Sequence, residues 1–193
     1  MEMKKPTLPK KLSKHPFFYK DALALGLTKY ALDKLIEIGK IERLDRGIYI
    51  PSNYDDTTTE AQFHLAALRC GTPSCICLLS ALEQYHLTDE IPKKVWIMVP
   101  QTKRVLSKKL KLIRSRNPNW KIGIHKSNSY WITTIERTLI ECLLYKRVIG
   151  SSIALDALKN AINQHKVKAG RILEMANKLG VKHRIYTYIE TLS

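Results

Sequence analysis

The run from Lys20 to Pro51 constrains the fold more than any other stretch, because helix stops and strand signals follow one another closely within it. From Phe17 the pattern is helical: Ala22, Leu23 and Leu25 are apolar, and Gly26 then supplies the left-handed residue that closes a short helix. Thr28 is placed to cap a second helix, its hydroxyl accepting an N–H of the first turn. Across residues 29–38, Leu32, Leu35 and Ile36 fall on one helical face, and Lys29, Tyr30, Asp33, Lys34 and Glu37 fall on the other. Gly39 ends that helix. Residues 41–44 and 48–50 then read as two strands joined through Asp45-Arg46-Gly47, where glycine takes the positive φ of a tight hairpin. Pro51 closes the unit.

Short helix, turn, amphipathic helix and small hairpin, in that order, are the DNA-reading half of a winged helix-turn-helix. The chain carries a formal net charge of +16, so a partner of opposite sign is expected. On that reading the helix from Thr28 faces the major groove with Lys29, Tyr30 and Lys34, and Arg43 and Arg46 on the hairpin reach the sugar-phosphate or the minor groove. Asp33 and Glu37 oppose it, because they repel phosphate. The alternative is a solvated helix and hairpin used only for protein contacts.

Hydrophobic residues make up 45% of the 193, enough for a packed core, and no stretch approaches about 18 uninterrupted apolar residues. The first fourteen residues are lysine- and proline-rich, lack an apolar signal region and read as a mobile basic lead. These observations point to a cytoplasmic, reduced protein. Beyond the hairpin, Thr57-Thr-Thr-Glu60, Ser80-Ala-Leu-Glu83 and Thr133-Thr-Ile-Glu136 have capping-box spacing and open helices. Strands are expected at 74–78, 95–99, 110–114, 121–125 and 131–132, and helices over 153–164, 169–179 and 182–192. The fold class is therefore α+β: a winged helix-turn-helix over residues 1–54, then a mixed α/β domain over 55–193 with a helical end from 150.

Charge is uneven. Residues 101–150 hold twelve Lys and Arg against two acids, whereas residues 51–100 hold three against six. The dense part includes Lys103, Arg104, Lys108, Lys109, Lys111, Arg114 and Arg116, with Trp120 nearby. Such a run is a solvated face, a nucleic-acid contact or the docking site of an acidic protein. Cys70, Cys75 and Cys77 with His64 and His86 invite a metal reading, but their spacing fits no zinc knuckle. Cys-x-Cys on an apolar strand turns both thiols toward a core, and Cys142 sits on an apolar helix, so no metal or cofactor is expected. Phosphate-binding glycine loops and hydrolase motifs are absent. Asp156, Glu136 and Glu141 with Lys146 are too few to build a two-metal site. Catalysis is not expected; the alternative is a nuclease or nucleotidyltransferase that uses the basic middle to hold nucleic acid.

Ala24-Leu-Gly-Leu-Thr28 and Leu35-Ile-Glu-Ile-Gly-Lys-Ile-Glu-Arg-Leu-Asp-Arg-Gly-Ile-Tyr49 resemble the N-terminal winged helix of AbiEi-type antitoxins and transcriptional regulators. Arg46-Gly-Ile-Tyr49 is the most specific piece. Similar matches follow in family order at Leu79-Ser-Ala-Leu-Glu-Gln-Tyr-His-Leu87, Val95-Trp-Ile-Met-Val-Pro100, Thr133-Thr-Ile-Glu-Arg-Thr-Leu139 and Gly150. The resemblance implies the antitoxin of a bicistronic abortive-infection (type IV toxin–antitoxin) system. Such a protein binds inverted repeats in its own promoter and represses the operon. Its C-terminal domain neutralises a nucleotidyltransferase-like toxin without requiring a stable complex. Carried over by position, the contacts to double-stranded DNA are Thr28, Lys29, Tyr30, Lys34, Arg43 and Arg46. A helix is also implied before Phe17, where Pro16 shortens or breaks it.

Overall fold

The structure, a computed structural model, describes residues 6–115, 117, 119–127 and 129–190. Its contacts divide the chain into two compact units, one ending at Arg69 and the other beginning at Cys70. The sequence places the boundary earlier, at 54/55. The difference is mainly the helix at residues 59–70, which belongs with the first unit except for its last residue, Cys70. Among the described residues no helix is long and apolar enough to cross a membrane.

In the first unit, a 3-10 turn (Lys10–Leu12) precedes β1 (Phe17–Phe18), α1 (Tyr19–Ala24), α2 (Lys29–Glu37), β2 (Ile41–Asp45), β3 (Ile48–Pro51) and α3 (Thr59–Cys70). The three strands form one antiparallel sheet in the order β1-β3-β2. Leu12, Phe17, Ala22, Leu32, Leu35 and Ile41 are buried in one cluster, so each of the first two helices contributes its apolar face. Two expectations are corrected here. Leu12 is buried in that cluster and Leu8 packs against it, so the basic lead is anchored from residue 8 onward. Residues 1–5 of that lead lie outside the described residues. Phe17 and Phe18 pair with Tyr49 and Ile48 as a strand instead of opening a helix, and the Phe17 ring stacks on Tyr49 at 5.7 Å. Stacking of the two large rings reinforces the ladder that holds this strand.

The second unit is built on a five-stranded mixed sheet. Its elements are β4 (Cys75–Ile76), α4 (Leu78–Gln84), β5 (Val95–Pro100), β6 (Leu110–Ser115), β7 (Ile124–Ser127) and β8 (Tyr130–Thr133), then α5 (Ile135–Leu144), α6 (Lys146–Ile149), α7 (Ser151–Asn163), α8 (Ala169–Lys178) and α9 (Lys182–Glu190). The strand order is β6-β5-β4-β8-β7. The pairs β5–β6 and β4–β8 are parallel, and β4–β5 and β7–β8 are antiparallel. Helix α5 packs against α4, α7, α8 and α9 and buries six of its ten residues, which makes it the centre of the unit.

The capping boxes are each corrected. Thr58, not Thr57, accepts the N–H of Ala61, and Thr57 donates its hydroxyl to Asp55. Thr134, not Thr133, caps α5. Thr133 is buried and bonds the Thr138 hydroxyl at 2.7 Å, while its carbonyl accepts from Tyr85. Ser80 lies inside α4, where its buried hydroxyl accepts the N–H of Trp96 and so ties α4 to β5. The strand expected over 74–78 is confined to two residues because α4 begins at Leu78, and the one expected over 121–125 begins only at Ile124. All four cysteines are buried and none is in a disulfide. Burial pushes the thiols of Cys75, Cys77 and Cys142 well above their ordinary range, so they stay protonated and behave as small apolar side chains.

Gly123 carries a testable consequence. Its φ is +70°, and a Cβ there would lie 3.0 Å from both Arg137 Cβ and Met175 Sδ. Gly123→Ala is expected to cost about 1–3 kcal/mol, through the positive φ and the crowding together. Urea unfolding followed by tryptophan fluorescence checks this.

Candidate nucleic-acid interface

Helix α1 ends in a tight reversal: Gly26 takes φ +82°, and the N–H of Leu27 donates to the carbonyl of Ala22 at 3.0 Å. That geometry sets the turn into α2. The Thr28 hydroxyl accepts the N–H of Ala31 at 3.2 Å, as the sequence predicts. Leu32 and Leu35 are completely buried and Ala31 and Ile36 pack beside them, so the opposite face of α2 is turned outward. Lys29, Tyr30, Asp33 and Glu37 are exposed there, and Tyr30 keeps 57% of its surface.

Lys34 is half-exposed and not free. Its ammonium lies 2.6 Å from Glu37 Oε2 and 5.9 Å from the centre of the Tyr30 ring. The hydrogen bond to Glu37 raises the Lys34 pKa, so the lysine stays charged. Glu37 thus stands where an anion would have to come, and a phosphate at Lys34 must displace a carboxylate.

The hairpin tip is organised by Asp45, a role the sequence reading missed. Asp45 Oδ1 accepts the N–H of Arg46 at 2.7 Å, its carbonyl accepts from Arg43 Nε at 3.4 Å, and Oδ2 lies 3.9 Å from Arg69 Nε. The available signal was Asp followed by Arg-Gly, since aspartate side chains close turns on their own backbone. The ladder shifts register between Arg43 and Asp45, and Gly47 at the tip has φ +74°. The Gly47 carbonyl accepts the N–H of Tyr19 at 2.9 Å, which fastens the tip to the start of α1. Arg43 and Arg46 are exposed, and among the described residues the Arg46 guanidinium has no ion pair.

The basic stretch belongs to the second unit. Lys103 Nζ donates to the Thr72 carbonyl, and Lys111 Nζ stands 5.7 Å over the Trp96 ring. Arg104, Lys108, Lys109 and Arg114 are exposed. Arg116 lies outside the described residues. Glu141, one of the acids too few for a two-metal site, is partly buried and pairs with the fully buried Arg137.

No curated protein matches the chain. The segment that carries α1, α2 and the hairpin does match a family model. Residues 8–51 fit the one described as "Transcriptional regulator, AbiEi antitoxin", the family that the sequence resembles.

Proposed function

We propose that residues up to Pro51 form a winged helix-turn-helix with α2 as its recognition helix and the β2–β3 hairpin as its wing. The chain is then a DNA-binding repressor that serves as the antitoxin of a two-gene abortive-infection operon. It acts in the cytoplasm, regulates its own promoter at inverted repeats, and counters a nucleotidyltransferase-like toxin without a stable complex. Residues 1–54 carry the DNA-binding role and 55–193 the antitoxin role. It is a regulator and not an enzyme.

One observation carries this reading. A capped helix presents Lys29, Tyr30 and Lys34 on its open face, next in sequence to a hairpin bearing Arg43 and Arg46, within the segment that matches the regulator family. Cations on a helix of this size fit the major groove, and cations on a hairpin fit the adjacent backbone. Thr28 would approach the DNA through the first turn that it caps.

The test is a mobility-shift titration of the full chain with its own upstream DNA against random duplex of equal length. At moderate salt the upstream DNA is expected to bind at least about a hundredfold more tightly. Equal affinities reject specific repression. Growth rescue on co-expression with the gene directly downstream tests the antitoxin half.

Glu37→Gln is expected to raise affinity for both DNAs. The change frees the Lys34 ammonium from its carboxylate and removes one repulsive charge. Exposed pairs are weak and screened by salt, so the gain is about two- to fivefold and fades as salt rises. The same titration at two ionic strengths reads it.

A further inference from the structure

We propose that the outer edge of β6, with the apolar loop tips Ile91 and Leu106 at its start, receives an acidic extended segment of a protein partner as an added strand. The inference concerns the second unit alone and does not depend on the DNA reading.

Strand β6 is at one end of its sheet, and among the described residues no strand pairs with its outer side. The register shows which backbone groups point outward. Val95 of β5 donates its N–H to the Lys109 carbonyl at 3.0 Å and lies opposite Leu110. In a parallel ladder the residue directly opposite turns its own N–H and C=O away from the partner strand. Leu110, opposite Val95, therefore presents its carbonyl outward. With the two-residue period, Leu112 and Arg114 present both backbone groups outward. These groups form a template for one more strand, the arrangement that peptide-binding sheet edges use.

The surroundings identify the occupant. From Ile91 to Ile135 the sequence contains no aspartate or glutamate. Lys108, Lys109, Lys111 and Arg114 are exposed along or just before the edge. A second copy of this chain would bring an identical set of cations against these, which disfavours self-pairing. Leu106 is 99% exposed and Ile91 82% exposed. They lie four residues ahead of Leu110 and Val95, which are register partners, so the chain tethers both within about 14 Å of the same end of the sheet. Phosphate backbones give such side chains no apolar pocket, whereas a protein surface does. An extended segment with alternating acids, continuing into a small apolar hollow, matches every part of this surface.

The alternative is that the cations only guard a free edge against unwanted pairing. The test uses the full chain and a labelled, acetylated heptapeptide, Val-Glu-Val-Glu-Val-Glu-Val, at low ionic strength. Two further versions carry backbone N-methyl groups at odd or at even positions. The parent peptide is expected to bind, and one methylated version to lose about tenfold or more while the other stays within about twofold, because only alternate N–H groups face the edge. Raising salt from about 50 to about 300 mM should weaken the parent several-fold. Lys108→Glu with Lys109→Glu should do the same with unchanged tryptophan emission. Several outcomes overturn the proposal: no binding, which leaves the edge merely guarded; equal loss with both methylated peptides, which leaves charge alone; self-association of the chain at the edge; or displacement of the peptide by random duplex DNA, which assigns the surface to nucleic acid.

Discussion

Arg137→Met is expected to destabilise the second unit by about 3–5 kcal/mol, the scale for breaking a buried ion pair. Arg137 has no exposed surface. Its Nε lies 2.9 Å from Glu141 Oε1, one terminal nitrogen donates to the carbonyls of Trp120 and Ile122, and the other donates to Met98 Sδ at 3.4 Å. No buried side-chain nitrogen or oxygen among the described residues lacks a partner. Methionine fills much of the volume but takes the Arg137 donors from one carboxylate and two carbonyls that are all part-buried, and each such loss is costly. All three tryptophans, Trp96, Trp120 and Trp131, lie in this unit, so fluorescence-monitored urea unfolding reads its stability alone. Burial raises the Glu141 pKa even with Arg137 beside it. A carboxyl whose folded pKa is raised stabilises most below its unfolded pKa and loses that contribution as pH rises through the folded value. Without the guanidinium the shift grows, so the variant should recover part of its loss between about pH 8 and pH 5 relative to the wild type. Adding Glu141→Leu should recover part of it at all pH values. A loss under about 1 kcal/mol, or one without pH dependence, contradicts the role given to this pair.

Helices and their open faces were legible in the sequence, because apolar spacing at Leu32 and Leu35 and the glycines at 26 and 39 act locally. Cap positions were legible only to within a residue. Where two threonines adjoin, either hydroxyl satisfies the local rule, and tertiary partners decide: Tyr85 and Thr138 claim Thr133, which leaves Thr134 to cap. Ser80 is the same case, with Trp96 as the claimant. The two-residue strand at Phe17 escaped because its cause is a ring and a ladder about thirty residues away. At the candidate interface, residue types and faces were readable from spacing. The Lys34–Glu37 pair and the ordering of the hairpin tip by Asp45 were not read, since spacing permits such contacts but does not select them. The place of β6 at the end of its sheet was out of reach entirely, because strand order is a property of the whole sheet.

Lys29→Ala with Arg46→Ala is expected to lower operator affinity by about a hundredfold while leaving the folded state intact. Each side chain is exposed and neither belongs to the buried cluster of the first unit. Surface substitutions of this kind shift stability by about 0.5 kcal/mol or less. On DNA the two occupy different elements, α2 and the hairpin tip, so their losses should add. A groove contact is worth about 1–3 kcal/mol, and a phosphate contact also carries about one unit of the salt slope. If Lys29 and Arg46 both meet phosphate, the double variant loses about two units of slope and binds upstream and random DNA equally less well. If either reads a base, upstream DNA loses more and the slope falls by about one unit. Thr28→Ala is the control. Losing the hydrogen bond to Ala31 should cost about 1 kcal/mol of stability and weaken binding through the helix itself. Unchanged operator affinity in the double variant would remove α2 and the hairpin from the interface and leave their cations as ordinary solvated charge.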